Sequence, residues 1–283
     1  MEIKGFAADI DMTLTGKGED LPEITKQAFE ILHKHNIPLG LATGRQLDDR
    51  CLYQGKNWGL SFEFDFLVCM NGGQVYDAKT KKVQEAKTMS CDDMKEVFDE
   101  LGDLIHSEHM TITAEGLGNI FAIYLEVNKE MEEVMLRHGW RFEDVKGDLD
   151  YFASKPCWKL LFRTIGDQKD KLVKKFNESL KDKYQIIETF PGTFEIMHQG
   201  IDKGSGLAIY AEWNNLTTKD FICFGDNEND NTMLKAAGLG VALKGCNPKT
   251  IAIADDVTDV GCFEGGVGDY LFKKVIIPNG WNE

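Results

Sequence analysis

Two aspartates stand two positions apart near the start of the chain, directly after an apolar run. Phe6, Ala7 and Ala8 favour a buried strand, which is expected to end where Asp9 and Asp11, both poor strand formers, begin. Carboxylates this close repel each other unless a cation lies between them, and Mg²⁺ suits carboxylate and water ligands. One aspartate could then attack a phosphoryl group while the other transfers protons. The alternative is a solvated turn, in which aspartate is common.

Three further predicted turns carry residue types that bind phosphate or metal. They contain Thr43-Gly44-Arg45, Lys203-Gly204 and Gly225-Asp226 with Asn229 and Asp230. A hydroxyl group, backbone amides at a helix N-terminus and an ammonium group can all bind phosphoryl oxygens. These turns are therefore candidate parts of one phosphate site.

Several of these residues also have a structural interpretation. Thr43 could cap the helix predicted to begin near residue 46, and Lys203 could be an ordinary solvated lysine. Asp226 and Asn229 are both common turn residues. At this point the alternatives stay open.

Arg45 and Asn71 are ambiguous in the same way. Arg45 is either a substrate clamp at the mouth of the site or the partner of Asp48 or Asp49 in a salt bridge. Asn71 follows a predicted strand and either shapes a turn or lines the site.

The order of predicted elements indicates how these turns meet. The apolar run before Asp9 is followed by a helix after Pro22, then by buried strands at 37–42 and 64–70. Alternating strands and helices predict an α/β fold with a parallel sheet and right-handed crossovers. Ligands of such sheets bind at the carboxyl ends of the strands, where Asp9 and Thr43 fall.

The pattern changes near residue 88 to that of an α+β unit. Its predicted helices span 91–104 and 168–180, and its predicted strands span 110–113, 121–126, 158–163 and 184–189. We leave 128–155 unassigned. The parallel pattern resumes with an apolar strand at 194–197, so the sequence predicts a core of residues 1–87 and 193–283 with residues 88–192 inserted into it.

Composition limits the classes of partner. The chain has 283 residues, and 32 Lys and Arg against 47 Asp and Glu give a formal net charge of −15. This acidic balance disfavours nucleic acids and anionic membranes as partners. The seven cysteines show no zinc-ligand spacing, and no apolar run has the length of a membrane span or a secretion signal. A cytoplasmic protein is expected.

Together the motifs resemble those of a known family. Asp9-x-Asp11-x-Thr13, Thr43-Gly44-Arg45, Lys203-Gly204 and Gly225-Asp226-x-x-Asn229-Asp230 occur in this order. This order resembles the haloacid dehalogenase superfamily, and more narrowly its Cof-type subclass (type IIB), whose α+β cap is inserted between the second and third motifs. The resemblance covers essentially the whole chain. It implies a Rossmann-like core with an inserted cap that selects substrates.

The resemblance also implies catalytic roles for the first motif. Asp9 is the expected nucleophile, which forms an aspartyl phosphate, and Asp11 is the expected acid and then base. Mg²⁺ is expected to bind Asp9, the backbone carbonyl of Asp11, and Asp226.

The other motif residues are expected to bind phosphate or to support the site. Thr43, the amides beginning at Gly44, and Lys203 bind phosphoryl oxygens, with Asn229 as a further donor. Asp230 is expected to orient Lys203 or the metal's waters.

The function implied is a Mg²⁺-dependent phosphatase that acts on a small phosphorylated metabolite such as a sugar phosphate. One alternative is a phosphomutase on the same scaffold, which returns the phosphoryl group to a second hydroxyl. Another is a non-enzymatic phospho-receiver or phosphate-sensing module. A receiver leaves both the inserted unit and Asp11 unexplained.

Overall fold

The computed structural model describes residues 3–16, 19–116, 120–125, 133 and 141–281. The chain forms two compact units. The first consists of Met1–Ala86 and Ile201–Glu283, and the second of Lys87–Gly200. Each unit has its own sheet, as the α/β core with an inserted α+β segment predicts.

An eight-stranded sheet organises the first unit. Numbered along the whole chain, its strands are β1 Gly5–Ala8, β2 Leu39–Ala42, β3 Phe66–Cys69, β4 Gln74–Asp77, β5 Val83–Glu85, β12 Phe221–Gly225, β13 Leu239–Ala242 and β14 Asp256–Val257. They lie in the order β14-β13-β12-β1-β2-β3-β4-β5. The strands from β14 to β3 pair in parallel, and β4 and β5 add an antiparallel hairpin.

Burial on both faces explains why β1 is apolar from end to end, since helices cover both sides of a parallel sheet. The Phe6 ring packs against Phe29 and Phe224 at centroid distances of 5.0 and 5.6 Å. On the other face Phe66 stacks on Tyr210 at 3.8 Å. This packing fixes the strand whose carboxyl end carries Asp9.

The helices of this unit follow the predicted alternation. They span Glu23–Lys34, Asp49–Leu52, Gln54–Asn57, Lys203–Trp213, Asn231–Ala236, Pro248–Ile251 and Gly266–Leu271. Pro22 directly precedes the first helix, and Asn36, with a left-handed φ of 55°, follows its end, as predicted. The helix expected near residue 46 begins later, at Asp49, because the side chain of Asp48 caps it.

The second unit is a six-stranded sheet with helices. Its strands are β6 Thr111–Gly116, β7 Ile120–Tyr124, β8 Arg141–Asp144, β9 Cys157–Arg163, β10 Tyr184–Phe190 and β11 Thr193–His198, in the order β10-β11-β9-β6-β7-β8. Its helices are Cys91–Ser107, Leu149–Phe152 and Gln168–Ser179. The end of the predicted strand 121–126 and most of the unassigned stretch up to residue 140 lie outside the described residues.

The structure differs from the predicted end of the insertion near residue 192. Strand β11 pairs antiparallel with β10 and β9, and the first unit resumes only at Ile201. Gly192 has a left-handed φ of 76° in the turn between β10 and β11. The Pro191-Gly192 turn, which suggested a boundary between units, is therefore a hairpin turn within the second sheet. Among the described helices, none combines the length and the apolar character that a membrane crossing requires.

Candidate active site

Three of the predicted motifs meet because their strands are neighbours. Strand β1 lies between β12 and β2 and pairs in parallel with both, so the carboxyl ends of all three lie at one edge of the sheet. Asp9 follows β1, Thr43 follows β2 and Asp226 follows β12. The N–H of Asp9 donates to the carbonyl of Phe224 at 3.1 Å, which ties two of these ends together.

Lys203 joins the nucleophile candidate to the last motif. Its Nζ donates to Asp9 Oδ1 and to Asp230 Oδ1, both at 2.6 Å, and both Lys203 and Asp230 are fully buried. The predicted alternative of a solvated lysine is therefore not observed. A Cβ atom at Gly204 would lie 2.7 Å from the carbonyl oxygen of Thr232, so glycine permits the close helix contact that brings Lys203 beside Asp230.

Burial sets the electrostatics of this pair. Burial by itself lowers the pKa of Lys203, but the charges of Asp230 and Asp9 outweigh it and raise that pKa. For Asp9, burial is the largest effect and raises the pKa; Lys203 lowers it, and Asp230 and Asp226 raise it further. The net pKa of Asp9 is well above its usual range, so Lys203 does not offset the combined effect of burial and the neighbouring carboxylates.

Asp226 is held in place from two sides. Thr13 Oγ1 donates to Asp226 Oδ1 at 2.8 Å, and the N–H of Asp226 donates to Asp230 Oδ2 at 2.9 Å. Burial and, after it, the charge of Asp230 raise the pKa of Asp226 to about 7. Asp230 also accepts from the N–H of Asn227 at 3.1 Å, so its oxygens are occupied by the chain itself.

This cluster fits a hard divalent cation. Asp9, Asp226 and Asp230 each offer one carboxylate oxygen, and these oxygens lie within 4.8 Å of one another. Burial, and after it the neighbouring carboxylates, raise the pKa of Asp9 and Asp226, and a cation with oxygen ligands would stabilise their charged forms. Since Asp230 is occupied by Lys203 and by backbone amides, Asp9 and Asp226 are the better-placed side-chain donors.

The raised pKa of Asp226 predicts a pH-dependent metal effect. Between the ordinary pKa of 3.8 and about 7, the folded metal-free protein binds more protons than the unfolded chain. Its stability therefore falls as pH rises through this window, and Mg²⁺, which must displace the proton, stabilises the fold more at high pH. We expect the Mg²⁺-induced rise in Tm to be larger at about pH 8 than at about pH 5.

The control for this measurement is Asp226→Asn, in which the dependence of the Mg²⁺ effect on pH should be smaller and limited to the contribution of Asp9, whose pKa is also raised. An equal rise in Tm at both pH values in the unsubstituted protein would contradict the assignment.

Arg45 and Asp11 form a separate pair. Arg45 Nε donates to Asp11 Oδ2 at 3.0 Å and its Nη2 donates to Asp11 Oδ1 at 2.6 Å. Burial lowers the pKa of Arg45, but the bonds to Asp11 outweigh it and raise that pKa. Asp48, one of the predicted salt-bridge partners of Arg45, instead pairs with Arg50.

Thr43 and Asn71 connect the remaining motifs. Thr43 does not cap the next helix; its Oγ1 accepts from the N–H of Arg45 at 3.2 Å. The N–H of Asn71 donates to the carbonyl of Thr43 at 3.0 Å, and Asn71 Oδ1 accepts from Asn229 Nδ2 at 3.3 Å. Asn71 adopts a left-handed φ of 51° beside Gly44. It therefore both shapes the turn and joins the end of β2 to the last motif.

Two of these contacts were missed by sequence reasoning, namely Arg45 with Asp11 and Asn71 with Asn229. Asp48 and Asp49 are close to Arg45 in the sequence and were therefore its predicted salt-bridge partners. The signal for Asn71 was its position after a strand that neighbours β2, since a left-handed asparagine at a strand end is suited to a functional turn.

The chain is similar to known proteins. Residues 6–271 match the family described as haloacid dehalogenase-like hydrolase. An HMP-PP phosphatase of Enterobacter sp. (strain 638) is 26% identical over 279 residues, covering 96% of this chain and 96% of that protein.

Two solved structures share the fold. A haloacid dehalogenase-like hydrolase from Bacteroides thetaiotaomicron aligns with a TM-score of 0.75 at 22% identity, over 96% of this chain and 99% of that one. A HAD subclass IIB sugar phosphatase aligns with a TM-score of 0.77 at 18% identity, over 95% of this chain and 98% of that one.

Proposed function

We propose that this chain, which belongs to the haloacid dehalogenase-like hydrolases and is a phosphatase, hydrolyses a small phosphorylated metabolite with Mg²⁺ through an aspartyl phosphate. The observation that carries this proposal is the buried ion pair of Lys203 with Asp9, beside Asp226 at the ends of adjacent strands. A buried carboxylate with a lysine and a cation-binding cluster beside it can bind and attack a phosphate group.

Asp9 performs the nucleophilic step. Lys203 binds Asp9 Oδ1 at 2.6 Å, which leaves Oδ2 to attack phosphorus. The bond from phosphorus to the leaving-group oxygen breaks as the bond to Asp9 Oδ2 forms, and water later cleaves the aspartyl phosphate. Lys203 favours the ionised form of Asp9 and contributes positive charge near the phosphoryl oxygens.

Asp11 serves as acid and then as base. It protonates the leaving oxygen in the first step and takes a proton from the attacking water in the second. Its side chain is 22% exposed and both its oxygens accept from Arg45, so Arg45 fixes the position from which Asp11 acts.

Mg²⁺ would be held by Asp9, Asp226 and the backbone carbonyl of Asp11. When bound, it compensates negative charge between the carboxylates and the phosphate. Thr43, the amide of Gly44 and the Asn229 side chain would bind the phosphoryl oxygens, with Asn71 orienting Asn229.

The second unit, Lys87–Gly200, would act as the substrate-selecting cap, and a sugar phosphate is the substrate class, by analogy with the sugar phosphatase of similar fold. The seven free cysteines support a cytoplasmic location.

The test is a screen of phosphorylated metabolites with and without Mg²⁺, in which inorganic phosphate is measured. We expect Mg²⁺-dependent release from at least one small metabolite. Isomerised phosphate ester without free phosphate would indicate a phosphomutase, and a stable phosphoprotein without turnover would indicate a receiver; either result would contradict the proposal.

Asp11→Asn should separate substrates by leaving group. An alkyl phosphate needs the proton from Asp11, so its turnover should fall by about 10²- to 10⁴-fold. An aryl phosphate has a good leaving group and should lose much less in the first step, so a phosphoenzyme should accumulate. The measurement is the rate of phosphoenzyme formation from each substrate, followed by rapid quench.

The matched control is Asp259→Asn, an exposed aspartate paired with Lys273. It should behave as the unsubstituted protein. An equal loss in the rate of phosphoenzyme formation from alkyl and aryl phosphates in Asp11→Asn would count against Asp11 as the acid.

A further inference from the structure

The loop that carries Asp226, residues 225–230, is bound by a second loop of the same unit. Strand β13 ends at Ala242, and the residues that follow it, 243–249, lead into the helix Pro248–Ile251. We call residues 243–249 the support loop. Strands β12 and β13 are parallel neighbours, so the loops at their carboxyl ends lie at the same edge of the sheet and come into contact.

Two backbone hydrogen bonds join the support loop to the Asp226 loop. The N–H of Leu243 donates to the carbonyl of Gly225 at 3.2 Å, and the N–H of Asn247 donates to the carbonyl of Asp226 at 3.1 Å. The N–H of Asp226 donates to Asp230 Oδ2. Both backbone polar groups of Asp226 are therefore bound, which limits rotation of the two peptide planes that flank its side chain.

Two side-chain hydrogen bonds join the residues that come next in the Asp226 loop. Asn247 Nδ2 donates to Asn227 Oδ1 at 2.9 Å, and Lys249 Nζ donates to Glu228 Oε1 at 2.8 Å. The lysine side chain is 72% exposed, and exposed ion pairs contribute little to stability. Asn227 and Asn247 are partly buried, so the bond between them is the stronger restraint.

Asn247 is itself held in place by the helix that follows it. Its Oδ1 accepts from the N–H of Lys249 at 2.9 Å, and its carbonyl accepts from the N–H of Thr250 at 2.9 Å. Asn247 is thus the N-cap of this helix, and Pro248 at the first helical position favours the helix start. One amide side chain uses its oxygen to cap the helix and its nitrogen to hold the Asp226 loop.

We propose that Asn247 is a positioning residue for the metal site and acts on Asp226 through Asn227. Its bonds keep the Asp226 carboxylate where a cation requires it, so that metal binding needs no rearrangement of the loop. The inference rests on the proposed function and deepens it, because it identifies what holds a donor of the Mg²⁺ that the reaction needs. Asn247 is not one of the proposed metal donors, so its effect is indirect.

Asn247→Ser isolates the bond to Asn227. Serine caps helices about as well as asparagine and keeps the backbone N–H that binds Asp226, but its side chain is too short to reach Asn227. The Kd of Mg²⁺, measured by calorimetry without substrate, should rise by about 10-fold, the lower end of the range for outer partners of metal ligands. The rise in Tm that a fixed Mg²⁺ concentration produces should become smaller.

The activity of Asn247→Ser should respond to Mg²⁺. The Mg²⁺ concentration for half activity should rise as the Kd does, whereas kcat and KM at saturating Mg²⁺ should return close to those of the unsubstituted protein. The matched control is Asn214→Ser, which removes an amide bond between distant segments of the same unit, from Asn214 Nδ2 to Asp77 Oδ2. It should lower Tm without changing the Kd of Mg²⁺.

Asn227→Ser removes the acceptor of the same bond and keeps the N–H that binds Asp230. It should raise the Kd of Mg²⁺ by a similar factor. The double variant should bind Mg²⁺ no more weakly than the single variants, because all three proteins lack the same bond. Additive losses would mean that Asn247 does not act through Asn227 and would overturn the inference.

Metal binding separates this inference from the proposed function. An unchanged Kd of Mg²⁺ in folded Asn247→Ser or Asn227→Ser, or an equal rise in Asn214→Ser, would overturn the inference and leave the phosphatase proposal standing. Unsubstituted protein that bound no Mg²⁺ would instead refute the metal site of the proposed function, and the inference with it.

Discussion

Asp9→Asn is expected to reduce turnover by at least about 10³-fold, the scale seen when a member of a concerted catalytic unit is removed. The amide cannot attack phosphorus as the carboxylate does, although it has nearly the same volume. Lys203 keeps its bond to Asp230 in this variant, so the helix that carries it should remain in place. The measurement is kcat on the best substrate of the metabolite screen, with circular dichroism and Tm to verify the fold.

The control for Asp9→Asn is again Asp259→Asn, which removes a carboxylate outside the site. We expect its kcat to be unchanged. A folded Asp9→Asn protein that kept more than about a tenth of the activity would refute the nucleophile assignment.

Removal of divalent metal should abolish the phosphatase activity, and addition of Mg²⁺ should restore it. The cluster of Asp9, Asp226 and Asp230 carries more negative charge than Lys203 compensates, so an anionic phosphate cannot approach it without a cation. Loss of a carboxylate ligand should cost more metal affinity than the roughly 10- to 100-fold typical of outer partners. Asp226→Ala should therefore raise the Mg²⁺ concentration for half activity by about 100-fold or more.

Lys203→Ala is the matched comparison, because it removes charge from the same cluster without removing a metal donor. Its kcat should fall while its Mg²⁺ requirement moves far less. Full activity after metal removal verified by elemental analysis would contradict the metal assignment, as would a shift in Mg²⁺ requirement for Lys203→Ala equal to that for Asp226→Ala.

The fold and the meeting of the motifs were predictable because the signals are periodic and local. Apolar strands ending at Asp9, Thr43 and Asp226, separated by helices, allow one parallel arrangement in which these residues share an edge. The order of the motifs resembles that of the haloacid dehalogenase superfamily, and this resemblance predicted the inserted cap and the roles of the site residues. The close partners of Lys203 follow from this arrangement and not from any local pattern.

The contacts that were not predictable depend on side chains that meet across the fold. Arg45 and Asp11 are separated by 34 positions, and nothing in the sequence ranks Asp11 above the nearer Asp48 as a partner. Similarly, the apolar stretch at 194–197 predicts a strand but not the sheet to which it belongs. A turn at Pro191-Gly192 suits a boundary between units as well as a hairpin, and pairing with β10 decides between them.

Trapping the covalent intermediate tests the central claim most directly. The enzyme is mixed with excess substrate and Mg²⁺, quenched in acid and treated with borohydride, which reduces an aspartyl phosphate to homoserine. Trypsin releases residues 5–17 as one peptide, and tandem mass spectrometry distinguishes Asp9 from Asp11 within it. We predict substrate-dependent homoserine at Asp9, most abundant in Asp11→Asn; active enzyme with no modification at Asp9, or with modification at another carboxylate, would contradict the proposed function.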